Sequence, residues 1–161
     1  MEIRFAQAKD TPQILKLLRQ VGRVHHLGRP DLFRSDACKY GASQILGMLD
    51  NPRTPIFVAV EEENVLGYGF CQIKTYSQDP VIKDHTSLYI DDLCVEENCR
   101  GQKVGTALYE EICRYAKMRK CYSITLNVWQ CNQSAMDFYE KMGLMPQKTT
   151  LETVLEQENA E

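Results

Sequence analysis

The chain has 161 residues, 43% hydrophobic and 25% charged, a composition that supports a packed core and shows neither low-complexity tracts nor repeats. A net charge of −3 and a pI near 5.7 exclude the global basic footprint of a nucleic-acid binder. No apolar run approaches the roughly 20 residues that span a bilayer, so no membrane partner is expected. Seven cysteines (Cys38, Cys71, Cys94, Cys99, Cys113, Cys121 and Cys131) include no CxxC pair. They are read as reduced thiols of a cytoplasmic protein. His25 and His26 are adjacent, a poor arrangement for shared chelation, and no metal is expected. Residues 1–155 are read as a single domain and 156–161 as a frayed tail.

Residues 3–6 read as a short strand. Asp10-Thr11-Pro12 starts a helix, with a capping oxygen followed by proline in the first turn. Ile14, Leu15, Leu17, Leu18 and Val21 recur at helical spacing until Gly28-Arg29-Pro30-Asp31 breaks the pattern. A second helix begins near Cys38, carries Tyr40, Ile45, Leu46, Met48 and Leu49, and ends at Asn51-Pro52. Strands over 56–60 and 65–73 form an antiparallel hairpin around Glu61-Glu62-Glu63-Asn64.

A polar linker through Ser77-Gln78-Asp79-Pro80 leads to a strand over 88–95, and a helix follows from about 101 to 119. Its apolar face holds Val104, Ala107, Leu108, Ile112, Tyr115 and Ala116. A strand over 124–128 precedes a helix that Asn132 caps and Gly143 stops, and a last strand is predicted over 151–155. The order predicts a mixed α/β fold of the α+β kind, a mostly antiparallel sheet with helices on both faces.

The segment Asp91-Asp92-Leu93-Cys94-Val95 running through Glu96 to Cys99 into Arg100-Gly101-Gln102-Lys103-Val104-Gly105-Thr106 carries the most chemistry. A strand passes through a polar, glycine-bearing turn into an amphipathic helix. The amides that open a helix have no intrahelical acceptor, and the dipole adds about half a positive charge there. Such a turn holds anions, and Arg100 and Lys103 add side-chain charge. Neither GxGxxG nor GxxxxGK[ST] is present, which removes the dinucleotide-fold and P-loop readings.

Residues 95–107, together with Asn132, Ala135 and Phe138-Tyr139-Glu140-Lys141-Met142-Gly143-Leu144, resemble the GCN5-related N-acetyltransferase (GNAT) family in element order along nearly the whole chain. The family's [R/Q]-x-x-G-x-[G/A] signature reads Arg100 to Gly105, with Lys103 where the first signature glycine is usual. Lysine adopts a left-handed conformation at a cost, but a helix start needs ordinary helical angles, so ligand binding is expected to survive the change. The resemblance implies acetyl-CoA as cosubstrate. Its pyrophosphate would lie on the amides of Gly101, Gln102, Lys103, Val104, Gly105 and Thr106, and its pantetheine along Leu93, Cys94 and Val95. Asn132 would contact that arm or order the turn before the last helix.

The implied reaction is acetyl transfer to a primary amine by direct attack in a ternary complex, which needs a base, an oxyanion donor and a proton for the departing thiolate. Tyr139 matches the family's tyrosine and is the candidate acid; it could also be a packed aromatic beside Phe138. A backbone amide near Leu93 or Cys94, exposed at a strand bulge, is the expected oxyanion donor. Some members place a glutamate where this chain has Asn127, which cannot take the proton. Asp91 and Asp92 are the nearest carboxylates, and strand alternation allows one of them to face the substrate unless a bulge intervenes. Either could be a solvated edge residue, with water as the proton carrier.

Cys94 and Cys131 flank the site, but free cysteines commonly pack as small hydrophobes, so an acyl-cysteine is not the favoured path. Trp129 either lines the acceptor channel or plugs the core. The acceptor region is expected to include His25, His26, Arg29, Pro30, Asp31, Leu32 and Phe33, with residues 76–85 opposite. The carboxylates at Glu61, Asp91 and Asp92 favour a cationic amine, either a small molecule or a peptide amine. A homodimer could form if the last strand extended a second copy's sheet. The alternative is a module of the same fold that binds or senses coenzyme A without turnover.

Overall fold

The computed structural model describes residues 1–155, and the tail expected at 156–161 lies outside the described residues. Strands β1 (Glu2–Phe5), β2 (Ile56–Glu61), β3 (Asn64–Tyr76), β4 (His85–Val95) and β5 (Ser123–Leu126) form one sheet in that order. Every pairing is antiparallel except that of β4 with β5. The helices are α1 (Thr11–Gly28), α2 (Ala42–Leu49), α3 (Val104–Met118) and α4 (Gln133–Lys141).

The sheet is covered on both sides, so its central strands read as continuous apolar runs rather than as alternation. Val58 and Val60 of β2 join Tyr68 and Phe70 of β3 beneath Ile14, Leu17 and Leu18 of α1 and Ile45 of α2. Phe57, Ala59, Cys71, Ile73, Leu88 and Ile90 face the other way, onto Val104, Leu108 and Ile112 of α3. Leu108 and Ile112 are fully buried, and each such side chain contributes about 1.5–3 kcal/mol.

Two expectations change. Asp10 stands at the start of α1 but makes no side-chain cap. Its buried carboxylate takes two bonds from Arg4, at 2.7 and 3.0 Å, and one from the Gln7 amide at 2.8 Å. The acid therefore ties the end of β1 to the helix instead of closing the helix start. The predicted strand over 151–155 is not formed: Leu151, Val154 and Leu155 are exposed, and Glu152 is drawn to Arg29 at the end of α1. β-Branched composition favours a strand only where a sheet edge receives it.

The link into α3 also departs from its expected form. A 3-10 turn (Glu97–Cys99) separates β4 from α3, and the helix begins at Val104 rather than near 101. Gly101 has φ +76° and Lys103 φ +62°, so the lysine at the usual glycine position is left-handed after all. A non-glycine residue there carries about 1–2 kcal/mol of strain. Lys103→Gly should match or exceed the parent stability, whereas the β-branched Lys103→Val should lose about 1–2 kcal/mol in urea denaturation. A valine variant as stable as the parent would show that the turn does not need this conformation.

Candidate active site at the β4 bulge

The pairing of β3 with β4 matches Phe70 to Asp92 but Cys71 to Ile90, leaving Asp91 as the extra residue of a bulge. β4 and β5 pair only from Ser87 with Ser123 to Ile90 with Leu126. Beyond Ile90, β4 runs on to Val95 while β5 has ended, so the strands part at the bulge. The Glu96 amide bonds to Leu66 O at 2.8 Å. Main-chain groups alternate between edges along a strand, so those of Cys94 also face β3 and those of Leu93 and Val95 face the edge left open. Val95 O is engaged there by Gln20 Nε2 at 2.9 Å. The amide groups of Leu93 and the Val95 N–H can pair with an extended ligand as an added strand would.

The bulge also sets the side-chain directions. Ile90, Leu93 and Val95 pack toward α3, and Cys94 packs toward α1. The extra residue puts Asp91 and Asp92 together on the α1 and α2 side, as their partners show. Tyr68 donates to Asp92 Oδ2 at 2.9 Å, and Tyr40 donates to Asp91 Oδ2 at 2.6 Å. Lys39 Nζ lies 2.9 Å from both Asp91 O and Asp91 Oδ2. Burial pushes the Asp92 carboxyl up to about 6; Tyr68 and Lys39 oppose that rise, and Asp91 adds to it. Tyr68 and Tyr40 are held protonated by their own burial and by these carboxylates.

Cys94 is buried, and desolvation lifts its thiol to about 12. It donates to Leu17 O at 3.7 Å. This is the packed-hydrophobe reading, and the Cys94 side chain stays out of the open edge. Cys131 is exposed in the turn before α4, against Gly28 at the end of α1.

The anion turn lies at the end of the same open edge. Ala107 N to Lys103 O, at 3.0 Å, is the first backbone bond of α3, so the amides of Val104, Gly105 and Thr106 precede it. Positive φ at Gly101 and Lys103, with Gln102 between them outside that region, is the kind of alternation from which anion-holding nests of main-chain amides are built. Arg100 and Lys103 bring positive charge, and the turn fits a pyrophosphate. Gly105 has a further role: a Cβ there would sit 3.3 Å from Phe138 Cε2 and 3.5 Å from Val95 Cγ2. Its missing side chain lets α4 dock on α3.

That docking places Tyr139. Its ring meets Phe138 edge-on at 5.1 Å, and its hydroxyl makes no side-chain hydrogen bond among the described residues. Burial first, then the charge of Asp92, raises its pKa, so the phenol keeps its proton at neutral pH. Asn132 Oδ1 accepts from the Ala135 amide at 3.2 Å, which orders the start of α4.

In the loop expected to shape the acceptor site, Phe33 packs on Trp129 at 5.1 Å and on His25 at 5.0 Å. Burial and the Lys39 charge lower the His25 pKa. His26 Nδ1 lies 2.7 Å from Phe33 O and fixes the loop. Arg29 is taken by Asp31 and Glu152. Asn127 reaches Tyr89 Oη at 3.3 Å, with Lys74 over the Tyr89 ring at 3.8 Å. Of residues 76–85, Tyr76 stacks on His85, which lies six residues before Asp91, about 20 Å along the strand. Glu61 is also elsewhere, at the β2–β3 hairpin beside the N-terminal ammonium. Lys39, Tyr40 and Tyr68 join the site from positions that carry no sequence motif; only the bulge's carboxylates mark them.

The Asp92 carboxyl titrates higher in the fold than its ordinary value of 3.8. Its folded-state advantage is therefore complete below 3.8 and is lost as pH rises through about 6. Asp92→Asn keeps an acceptor for Tyr68 without the charge. The variant should gain up to about 3 kcal/mol over the parent at pH 8 and converge with it near pH 4 in urea denaturation. An equal difference at both pH values would show that burial does not burden this carboxylate.

The sequence profile of the acetyltransferase (GNAT) family matches residues 22–144. Thialysine N-epsilon-acetyltransferase of Bos taurus is 25% identical over 152 residues, covering 88% of this chain and 82% of its own length. The BH1408 protein from Bacillus halodurans, solved as a tetramutant, has a TM-score of 0.92 at 31% identity, across 96% of this chain and 100% of that one. An aminoglycoside acetyltransferase, meta-AAC0020, from an uncultured soil metagenomic sample shares the fold at TM-score 0.72 and 16% identity, across 98% of this chain and 96% of that one. A profile match over most of the sequence, a parted β4–β5 pair and an anion turn at the start of α3 agree: the chain belongs to the acetyltransferase (GNAT) family.

Proposed function

We propose that this chain is an acetyl-CoA-dependent N-acetyltransferase whose acceptor is a cationic primary amine, with both substrates bound at once. The observation that carries the reading is the bulge at Asp91, where the open edge of β4 meets two carboxylates. When bound, acetyl-CoA supplies an activated acetyl group as a thioester. The main-chain groups of Leu93 and the Val95 N–H hold the pantetheine, and the turn from Arg100 through Thr106 holds the pyrophosphate. Asn132 orders α4 beside them.

The acceptor enters from the α1 and α2 side, between Tyr40 with the carboxylates and Phe33 with Trp129. Asp91 attracts the ammonium, and Asp92, with a pKa near 6, is ionised at neutral pH and can take its proton. Tyr139 keeps a proton to give to the departing thiolate. A relative that acts on thialysine, itself an aliphatic amine, supports an amine of that class.

Rate measurements separate these roles. Tyr139→Phe should lower kcat by about 10²–10⁴ with little change in acetyl-CoA affinity; near-normal turnover would return Tyr139 to packing alone. The parent's kcat/KM should rise through about pH 6, and Asp92→Asn should lose that limb; a retained limb would assign the proton to water. Arg100→Glu with Lys103→Glu should weaken acetyl-CoA binding at least about tenfold in calorimetry, since a charged hydrogen bond contributes about 1.5–3 kcal/mol. Unchanged affinity would refute the turn as the pyrophosphate site.

A further inference from the structure

The ion pair over the bulge has the chemistry of an enzyme–acceptor contact. Lys39 belongs to the irregular segment between α1 and α2, and its ammonium touches both the carboxylate and the main-chain carbonyl of Asp91, each at 2.9 Å. The Asp91 side chain is only 10% exposed, whereas that of Lys39 is 44% exposed. The lysine therefore reaches into the site from solvent, and its stem is not fixed in the core. Tyr40 donates to the same Asp91 oxygen at 2.6 Å. A primary alkyl ammonium thus rests where β4 parts from β5, on the group proposed above to attract the acceptor.

We propose that Lys39 is an internal acceptor, acetylated at Nζ by the protein's own site when no external amine displaces it. The inference rests on the N-acetyltransferase reading. In the step, the Lys39 ammonium first loses a proton. Nζ then bonds to the acetyl carbon of the acyl thioester, the C–S bond breaks and the thiolate takes up a proton. One further proton leaves the new amide nitrogen for water, so the products are acetyl-lysine, free thiol and one net proton. Acetylation removes the charge at Nζ and ends the ion pair with Asp91. The carboxylate is then open to an external ammonium, and the modified chain is the one freed for acceptors.

The test is mass spectrometry of the full chain after incubation with acetyl-CoA alone, with peptide mapping of all lysines, beside the same incubation with a panel of polyamines, lysine analogues and aminoglycosides. The expected result is one acetyl group per chain, mapped to Lys39, formed at a rate independent of protein concentration. It should be slowed by any amine that is itself acetylated, and Lys39→Arg should not carry it. An unmodified Lys39 in a protein that acetylates an amine overturns this inference and leaves the enzymatic reading intact. Failure to modify either overturns both. Equal labelling of Lys39 in heat-unfolded chain, or in Tyr139→Phe, shows plain chemical acylation and overturns the inference as well.

Discussion

The site depends on one extra residue in a strand. Without the bulge at Asp91, β4 would alternate strictly, and one of its two adjacent carboxylates would point into the apolar layer beneath α3. With it, both turn toward α1 and α2, where Tyr40, Tyr68 and Lys39 meet them. The same irregularity lies where β4 leaves β5, because parallel pairing stops at Ile90 and Leu126. Leu93 and the Val95 N–H therefore face an edge of β4 that β5 does not pair. The carboxylates and the open edge share one backbone cause.

The two acids meet different surroundings at the bulge. Burial raises the Asp92 carboxyl to about 6, with the charge of Asp91 adding to the rise and Tyr68, Lys39 and the Leu93 amide opposing it. Asp91 has a lysine and a tyrosine on one oxygen. Adjacent residues of the same type thus have different partners, and the Asp92 carboxyl is the one shifted toward neutrality. Tyr139 is a phenol that burial and the Asp92 charge keep protonated.

The anion turn shows a comparable compromise. Lys103 occupies a left-handed position that glycine would take without strain. The strained residue is a cation at the mouth of a helix, so the departure from the family signature retains the turn's shape and adds charge to it. Gly105, two residues on, keeps its place because Phe138 approaches its Cα, and through Phe138 the turn is coupled to the helix that carries Tyr139.

Local chemistry made much of this legible in the sequence. The order of strands and helices and the turn from Arg100 to Thr106 follow from apolar period and glycine placement, while Tyr139 is marked by a motif that resembles the family. Those signals lie within a few residues of one another. The strand expected at 151–155 had β-propensity but found no edge, and Asp10 had a capping oxygen that Arg4 claimed instead. The site's other members were illegible for the same reason: Lys39 and Tyr40 meet Asp91 across about 50 residues, and Tyr68 meets Asp92 across 24. The sequence determined which acids, amides and phenol were available. Only the tertiary structure decided which cation and which tyrosines faced them, because the bulge that turns the carboxylates is a fact of strand pairing rather than of residue type.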